Sequence, residues 1–174
     1  YVAPSVWGFR MPVPWYESIN AVGSMFGVPL LFWIWRIQTS RRGEPDELAK
    51  IGTGAWLAAA SQLLLVAAVF ISRGPLINPI WPFLSVVVLG VAWLYQWPIL
   101  FALVSRAAPA RLEGTMMGIA YLSLFVSALL VGWLGGLYEK MSPAAFWAMH
   151  AAISAAGGVL VLLFGRRIAR LLAV

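Results

Sequence analysis

Apolar runs of about twenty positions alternate along this chain with short breaks carrying Pro, Gly or charge, and five such runs can be marked out. They predict helices over about 14–35, 51–71, 80–105, 115–137 and 143–164. A helix rises about 1.5 Å per residue, so about twenty apolar residues cross a hydrocarbon layer about 30 Å thick. No segment alternates polarity at every second residue over about ten positions, which sets aside a membrane β-barrel. The predicted class is all-α: a polytopic transmembrane helix bundle with five spans. Residues 1–12, with Trp7 and Phe9, read as an extracytoplasmic interfacial lead-in, and 13–174 as the bundle. Pro14 suits a first helical turn. Pro29 predicts a kink inside the first helix, and Pro98 a break in the inner third of the third.

Composition fits that picture. Hydrophobic residues make up 62% of the chain and charged ones 10%, against about 25% in a soluble domain. A formal net charge of +6 would suggest nucleic acid in a soluble protein. Here the basic residues gather at helix ends instead, with no stripe of Lys/Arg interleaved with aromatics, so no nucleic-acid partner is expected. Arg36, Arg41, Arg42, Lys50, Arg106, Arg111, Arg166, Arg167 and Arg170 fall on one side of the predicted spans. Arg10, Arg73 and Lys140 fall on the other. The excess places the first side in the cytoplasm, with the N-terminus outside and the C-terminus inside, in a cell (inner) membrane. The chain opens at Tyr1 without Met or a signal peptide and reads as a fragment or a processed product. The absence of Cys removes disulfides, thiolate ligands and a Cys nucleophile.

Polar groups inside a span are costly, which makes each a functional candidate. Asn20 lies about a third of the way into the first helix, where it can serve a solute or make an interhelical hydrogen bond. Glu17, in the first turn, is a candidate for proton coupling, or a carboxylate held by the helix macrodipole and facing water. Trp93, Tyr95 and Gln96 sit at mid-depth on the third helix, just before Pro98. Aromatics with one amide suit an uncharged or amphipathic solute, or else ordinary packing between helices. His150 is the lone histidine: a second proton-coupling candidate, because imidazole titrates near neutral pH, or a structural residue, having no carboxylate neighbour along its own helix. Gly114 with Gly118, and Gly132 with Gly136, have the four-residue spacing that lets helix backbones approach in lipid. Glu44, Asp46 and Glu47 lie beside Arg41, Arg42 and Lys50 and read as a self-neutralising loop, while Arg106 and Arg111 set topology. No catalytic motif, metal-ligand spacing or phosphate-binding loop is present, so no enzyme activity, metal or cofactor is expected.

Several stretches together resemble the second half of a proton-dependent oligopeptide transporter of the major facilitator superfamily. Trp15-Tyr16, Glu17-Ser18, Asn20 and Pro29 are similar to the start of that family's eighth helix, and Lys50 with Gly54 to the start of its ninth. Pro98, Arg106 and Ala108-Pro109 keep the spacing of its tenth helix and the loop beyond, and Gly114, Met116, Met117 and Gly118 look like the start of its eleventh. Two positions depart from the pattern. Ala92-Trp93 stand where the family usually has Gly-Glu, and Ala120 where a Trp commonly follows.

The resemblance implies a symporter moving protons with di- or tripeptides, or a related small solute, by alternating access. This chain would be its C-terminal half, corresponding to helices eight to twelve, and would work against an N-terminal half within the bilayer. Asn20 would then be a peptide-contacting amide. The alternative reading is a non-transporting scaffold or assembly subunit that docks through its small-residue helix faces.

Overall fold

A computed structural model describes Ser5–Val6, Phe9–Arg10, ten residues between 18 and 37, and residues 46–72 and 76–172. Two strands of two residues, β1 (Ser5–Val6) and β2 (Phe9–Arg10), pair antiparallel, with Ser5 opposite Arg10 and Val6 opposite Phe9. The lead-in is therefore partly a strand pair, although every long element described is a helix. Most of the predicted first span, 14–35, lies outside the described residues. Those that are described there, among them Ser18, Ala21, Met25, Gly27, Pro29 and Trp33, are all helical.

Four long helices follow: α1 (Glu47–Ile71), α2 (Ile80–Ala107), α3 (Glu113–Gly135) and α4 (Pro143–Leu172). A 3-10 turn, Tyr138–Lys140, links the last two. All four are long and apolar enough to span a bilayer, with mean hydropathy of 1.8–2.0 over their most apolar stretches. The fold is that of a transmembrane helix bundle. Several ends lie beyond the apolar runs that predicted them. α1 begins at Glu47 because Pro45 is the last breaker before it, and an acidic first turn favours a helix N-terminus. α4 passes through Gly165 and its arginines, since a helix does not stop where its apolar run does. Pro98 lies within α2 without ending it. A proline withdraws one hydrogen bond and crowds the preceding turn, a local defect that the flanking helix and its packing absorb.

Helix starts follow local chemistry. Asn78 Oδ1 accepts from the Ile80 N–H at 3.0 Å ahead of α2. Ser142 Oγ accepts from the Ala145 N–H at 3.3 Å, with Pro143 as the first residue of α4.

α1 is the centre of the bundle, packing on both α2 and α4. Its inward positions are small: Ala55, Ala58, Ala59, Ser61 and Ala68 are all buried. At Gly54 an added Cβ would stand 2.6 Å from Gln96 Cγ, 2.9 Å from the Ala92 carbonyl oxygen and 3.1 Å from Tyr95 Cβ. Only a residue without a side chain lets α2 come this close. Gly52 meets Val161 and Gly158 meets the Trp56 ring on the α4 side. A hydrogen bond joins the buried hydroxyl of Ser85 on α2 to the carbonyl of Ser61 on α1 at 2.9 Å.

α3 is attached lightly. It packs along α2, where Tyr121 stacks on Phe101 with centroids 4.8 Å apart, and Ala120 is its one buried residue. The predicted close approach through its glycines is not made among the described residues. A Cβ added at Gly114, Gly118 or Gly132 meets nothing within 4 Å, and one at Gly136 meets only the carbonyl oxygen of Trp133 in its own turn. Glycine spacing permits close packing but supplies no partner.

Candidate functional site

The shape of α1, α2 and α4, with α3 packed chiefly on α2 among the described residues, leaves a cavity of about 640 Å³ between the four helices. α1 contributes Ala55, Ala58 and Gln62 to its wall, and α2 contributes Leu89, Trp93 and Gln96. Ser127 and Val131 reach it from α3, and Phe146, Trp147, His150 and Ser154 from α4. Trp93 and Gln96 face one cavity because they lie three apart on a helix. His150 and Ser154 share a face through the i, i+4 relation.

Of the six residues selected from sequence, the structure brings Trp93, Gln96 and His150 together on this wall. Tyr95 is elsewhere. It is buried on the side of α2 that meets Gly54, two positions round the helix from Trp93. Asn20 and Glu17 lie outside the described residues.

The cavity has an apolar body with scattered uncharged polar groups. Among the described residues no Asp, Glu, Lys or Arg lines it. Such a wall accepts a neutral or amphipathic group and opposes a bare charge, whose desolvation nothing here would offset. His150 is fixed by its own helix turn: Nδ1 lies 3.0 Å from the Phe146 carbonyl oxygen, and the Phe146 ring packs 4.4 Å from the imidazole. A carbonyl only accepts, so Nδ1 carries the proton, and in the neutral ring Nε2 remains as the acceptor. Phe146 is held in turn by Tyr138, edge-on at 5.0 Å.

Gln62 is the residue that sequence reasoning missed. Its Oε1 is buried and has no hydrogen-bond partner among the described residues. An unpaired buried acceptor costs about 1–3 kcal/mol, so the site favours an occupant that donates an N–H or O–H. The signal was present in the sequence. Gln62 is an amide inside the apolar run of α1, and the rule that singled out Gln96 applies to it equally.

Among the described residues no cluster of His, Cys, Asp or Glu is arranged to hold a metal ion. The acidic and basic groups gather instead at the end of the bundle where α1 begins and α2 ends. There Arg106 is paired with Glu47, and Ser105 Oγ donates to Glu113 Oε1 at 2.8 Å. The reading of Glu47 as part of a self-neutralising loop is corrected by this pairing, which joins two helices across 59 residues.

No protein-family model matches the chain. Among curated proteins it is 29% identical over 170 residues to Peptide transporter YePEPT of Yersinia enterocolitica, covering 94% of this chain and 33% of that protein. It is 24% identical over 160 residues to the uncharacterized transporter YclF of Bacillus subtilis, covering 91% of this chain and 32% of the relative. Dipeptide and tripeptide permease A of Chromobacterium violaceum is 28% identical over 123 residues, covering 70% of this chain and 24% of that one.

In fold, the chain is similar to a peptide transporter POT mutant crystallised with alafosfalin, with a TM-score of 0.84 and 22% identity over 98% of this chain and 35% of that one. The same transporter crystallised with sulfate gives a TM-score of 0.85 and 23% identity over 98% and 34%. None of these relatives favours the scaffold alternative. The chain spans about a third of the length of the first two curated relatives. The resemblance carried by the stretches 14–20 and 98–118 is thereby shown: in sequence and in fold, this chain of a membrane protein matches about one third of a peptide transporter of the POT kind.

Proposed function

We propose that the chain is the C-terminal part of a proton-coupled symporter that moves di- or tripeptides, or a related small solute, by alternating access. The observation that carries this reading is similarity to a peptide transporter along 94% of the chain. The bundle described above would work against an N-terminal half in the same bilayer, around a site near mid-membrane. The chain would start outside and end in the cytoplasm of a cell (inner) membrane, with residues 1–12 at the outer surface.

Each site residue then has a role its chemistry suits. Asn20 offers an amide that both donates and accepts, fitting a zwitterionic or peptide group. Trp93 and Gln96 line the solute path, and Gln62 adds a second amide from α1. The uncharged wall takes the neutral part of a solute, so its charged ends would be met by groups beyond this cavity. His150 and Glu17 are the chain's proton-coupling candidates. His150 shares the cavity wall with Trp93 and Gln96, which supports its candidacy. Tyr95 serves the α1–α2 packing instead.

Uptake of a labelled dipeptide by cells expressing the full reading frame tests the assignment. We expect uptake that rises with an inward proton gradient and falls at least about tenfold in Asn20→Ala, the scale of a lost amide interaction. Proton-driven uptake that survives this substitution unchanged overturns the role given to Asn20. No uptake of any peptide overturns the transport reading.

A further inference from the structure

The cavity between the four helices has a chemical bias that follows from where its polar groups place their protons. His150 on α4 donates from Nδ1 to the Phe146 carbonyl oxygen at 3.0 Å, so Nε2 of the neutral ring has only a lone pair to offer. Ser127 on α3 donates its hydroxyl proton to the Ser123 carbonyl oxygen at 2.8 Å, which leaves the lone pairs of Oγ. Gln62 on α1 carries an Oε1 with no hydrogen-bond partner among the described residues. Its terminal amide turns about a soft torsion, so this oxygen can swing toward an occupant at small cost.

Helix geometry explains the pattern. A helical serine commonly donates to the carbonyl four residues back, and Ser127 and His150 both do so. Each donor is used inside its own helix, and each acceptor is left for the space between helices. Trp93 adds an indole N–H to the wall, while Gln96 and Ser154 can both donate and accept. The surplus is of acceptors, and they arrive from three different helices. Among the described residues no Asp, Glu, Lys or Arg lines the cavity, so nothing there offsets a bare charge.

We propose that this cavity is a pocket for an uncharged hydrogen-bond donor on the solute, a primary amide or hydroxyl side chain. His150 sets the preference, with Gln62 and Ser127 supporting it. The proposal rests on the transport reading above and names the class of side chain which that reading leaves open. A carboxamide donates two N–H bonds and fits acceptors that converge from separate helices. A hydrocarbon of the same size leaves those lone pairs unpaired, the situation in which a polar site rejects an analogue most strongly. A carboxylate sets lone pairs against lone pairs and brings a charge that the wall does not balance.

Gly157 offers a place from which to watch the pocket. It lines the cavity, and a Cβ added there meets nothing within 4 Å. The full reading frame, freed of other cysteines, carries Gly157→Cys and is labelled with a small methanethiosulfonate at about pH 8, where imidazole is ordinarily uncharged. The readout is the concentration of added compound that halves the labelling rate. Alanyl-glutamine, alanyl-methionine and alanyl-glutamate probe the pocket as part of a peptide site. Propanamide and butanone, alike in size and differing in the amide N–H, probe it without any peptide. Folded protein is measured for every variant.

We expect alanyl-glutamine to protect at a concentration at least about threefold below alanyl-methionine and about tenfold below alanyl-glutamate, the scale of one or two hydrogen bonds. Propanamide should protect at least about threefold better than butanone. His150→Phe should erase both preferences, whereas His150→Gln, which returns an acceptor near the position of Nε2, should restore them. Gln62→Leu should shrink each ratio by about twofold.

A parent that shows no preference, or a preference that His150→Phe leaves intact, overturns the pocket. Where His150→Phe does not fold, the double variant Gln62→Leu with Ser127→Ala takes its place, and unchanged ratios count against the proposal. Protection by propanamide with none by any dipeptide upholds the pocket and removes peptides as its solutes. Protection by no compound overturns it.

Discussion

α1 and α3 are equally apolar, each with a mean hydropathy of 2.0 over its most apolar stretch, yet 39% of that stretch is buried in α1 and none in α3. Lipid tails are as apolar as leucine, so hydropathy selects what enters the membrane and says nothing about which helix a residue will touch. Burial in α1 follows instead from the placement of its small residues. Gly54, Ala55, Ala58 and Ser61 let α2 and α4 come close, and a Ser85–Ser61 hydrogen bond fixes the register. α3 has more glycines, four against two, but its large side chains stand outward: Phe125, Leu129 and Trp133 are all exposed.

The sharpest way to break this comparison is to fill one glycine on each helix. Gly54→Val should cost more than the about 1–3 kcal/mol typical of overpacking, because the first atoms it meets include the Ala92 backbone, which cannot step aside. Loss of folded protein, or a fall of many degrees in thermal stability by fluorescence-detected gel filtration, is expected. A parent-like Gly54→Val would mean that α1 and α2 are not packed as described. Gly158→Ala should be milder. Its neighbour is the Trp56 ring, a partly exposed side chain with room to turn, so a loss of about 1 kcal/mol or less is expected in the same assay.

Much of this was legible in the sequence, and the limits have physical causes. Spans could be read because crossing a bilayer requires about twenty apolar residues in a row. Their ends could not, because a helix continues past the hydrocarbon layer wherever no proline or cap stops it, as α1 does at Glu47 and α4 does beyond Gly165. Trp93 and Gln96 were selected as polar or aromatic at mid-depth and His150 as the lone histidine, and all three line one cavity. Tyr95 was chosen on the same grounds and packs elsewhere, because depth along a helix does not specify its face. Partners of helix ends were illegible for another reason: Glu47 and Arg106 are 59 residues apart, and nothing local to either announces the other.

Two smaller effects sharpen the contrast. Ser85→Ala removes one interhelical hydrogen bond, which in a membrane bundle is worth about 0.6 kcal/mol, so a shift of a degree or two in thermal stability is expected. A shift as large as that of Gly54→Val would mean that hydrogen bonding, rather than small-residue packing, holds α1. Gly118→Ala should be neutral or stabilising by about 0.4–1 kcal/mol, since its Cβ meets nothing and a helical glycine is entropically costly. A clear loss of stability there would reveal a neighbour on α3 beyond those described.

The central claim is that this bundle is part of a proton-driven peptide carrier, and uptake by purified full-length protein in proteoliposomes tests it most directly. With an imposed inward proton gradient, a labelled dipeptide should accumulate above its external concentration, and a protonophore should abolish that accumulation. Accumulation absent under the gradient, or unchanged by the protonophore, would contradict the account.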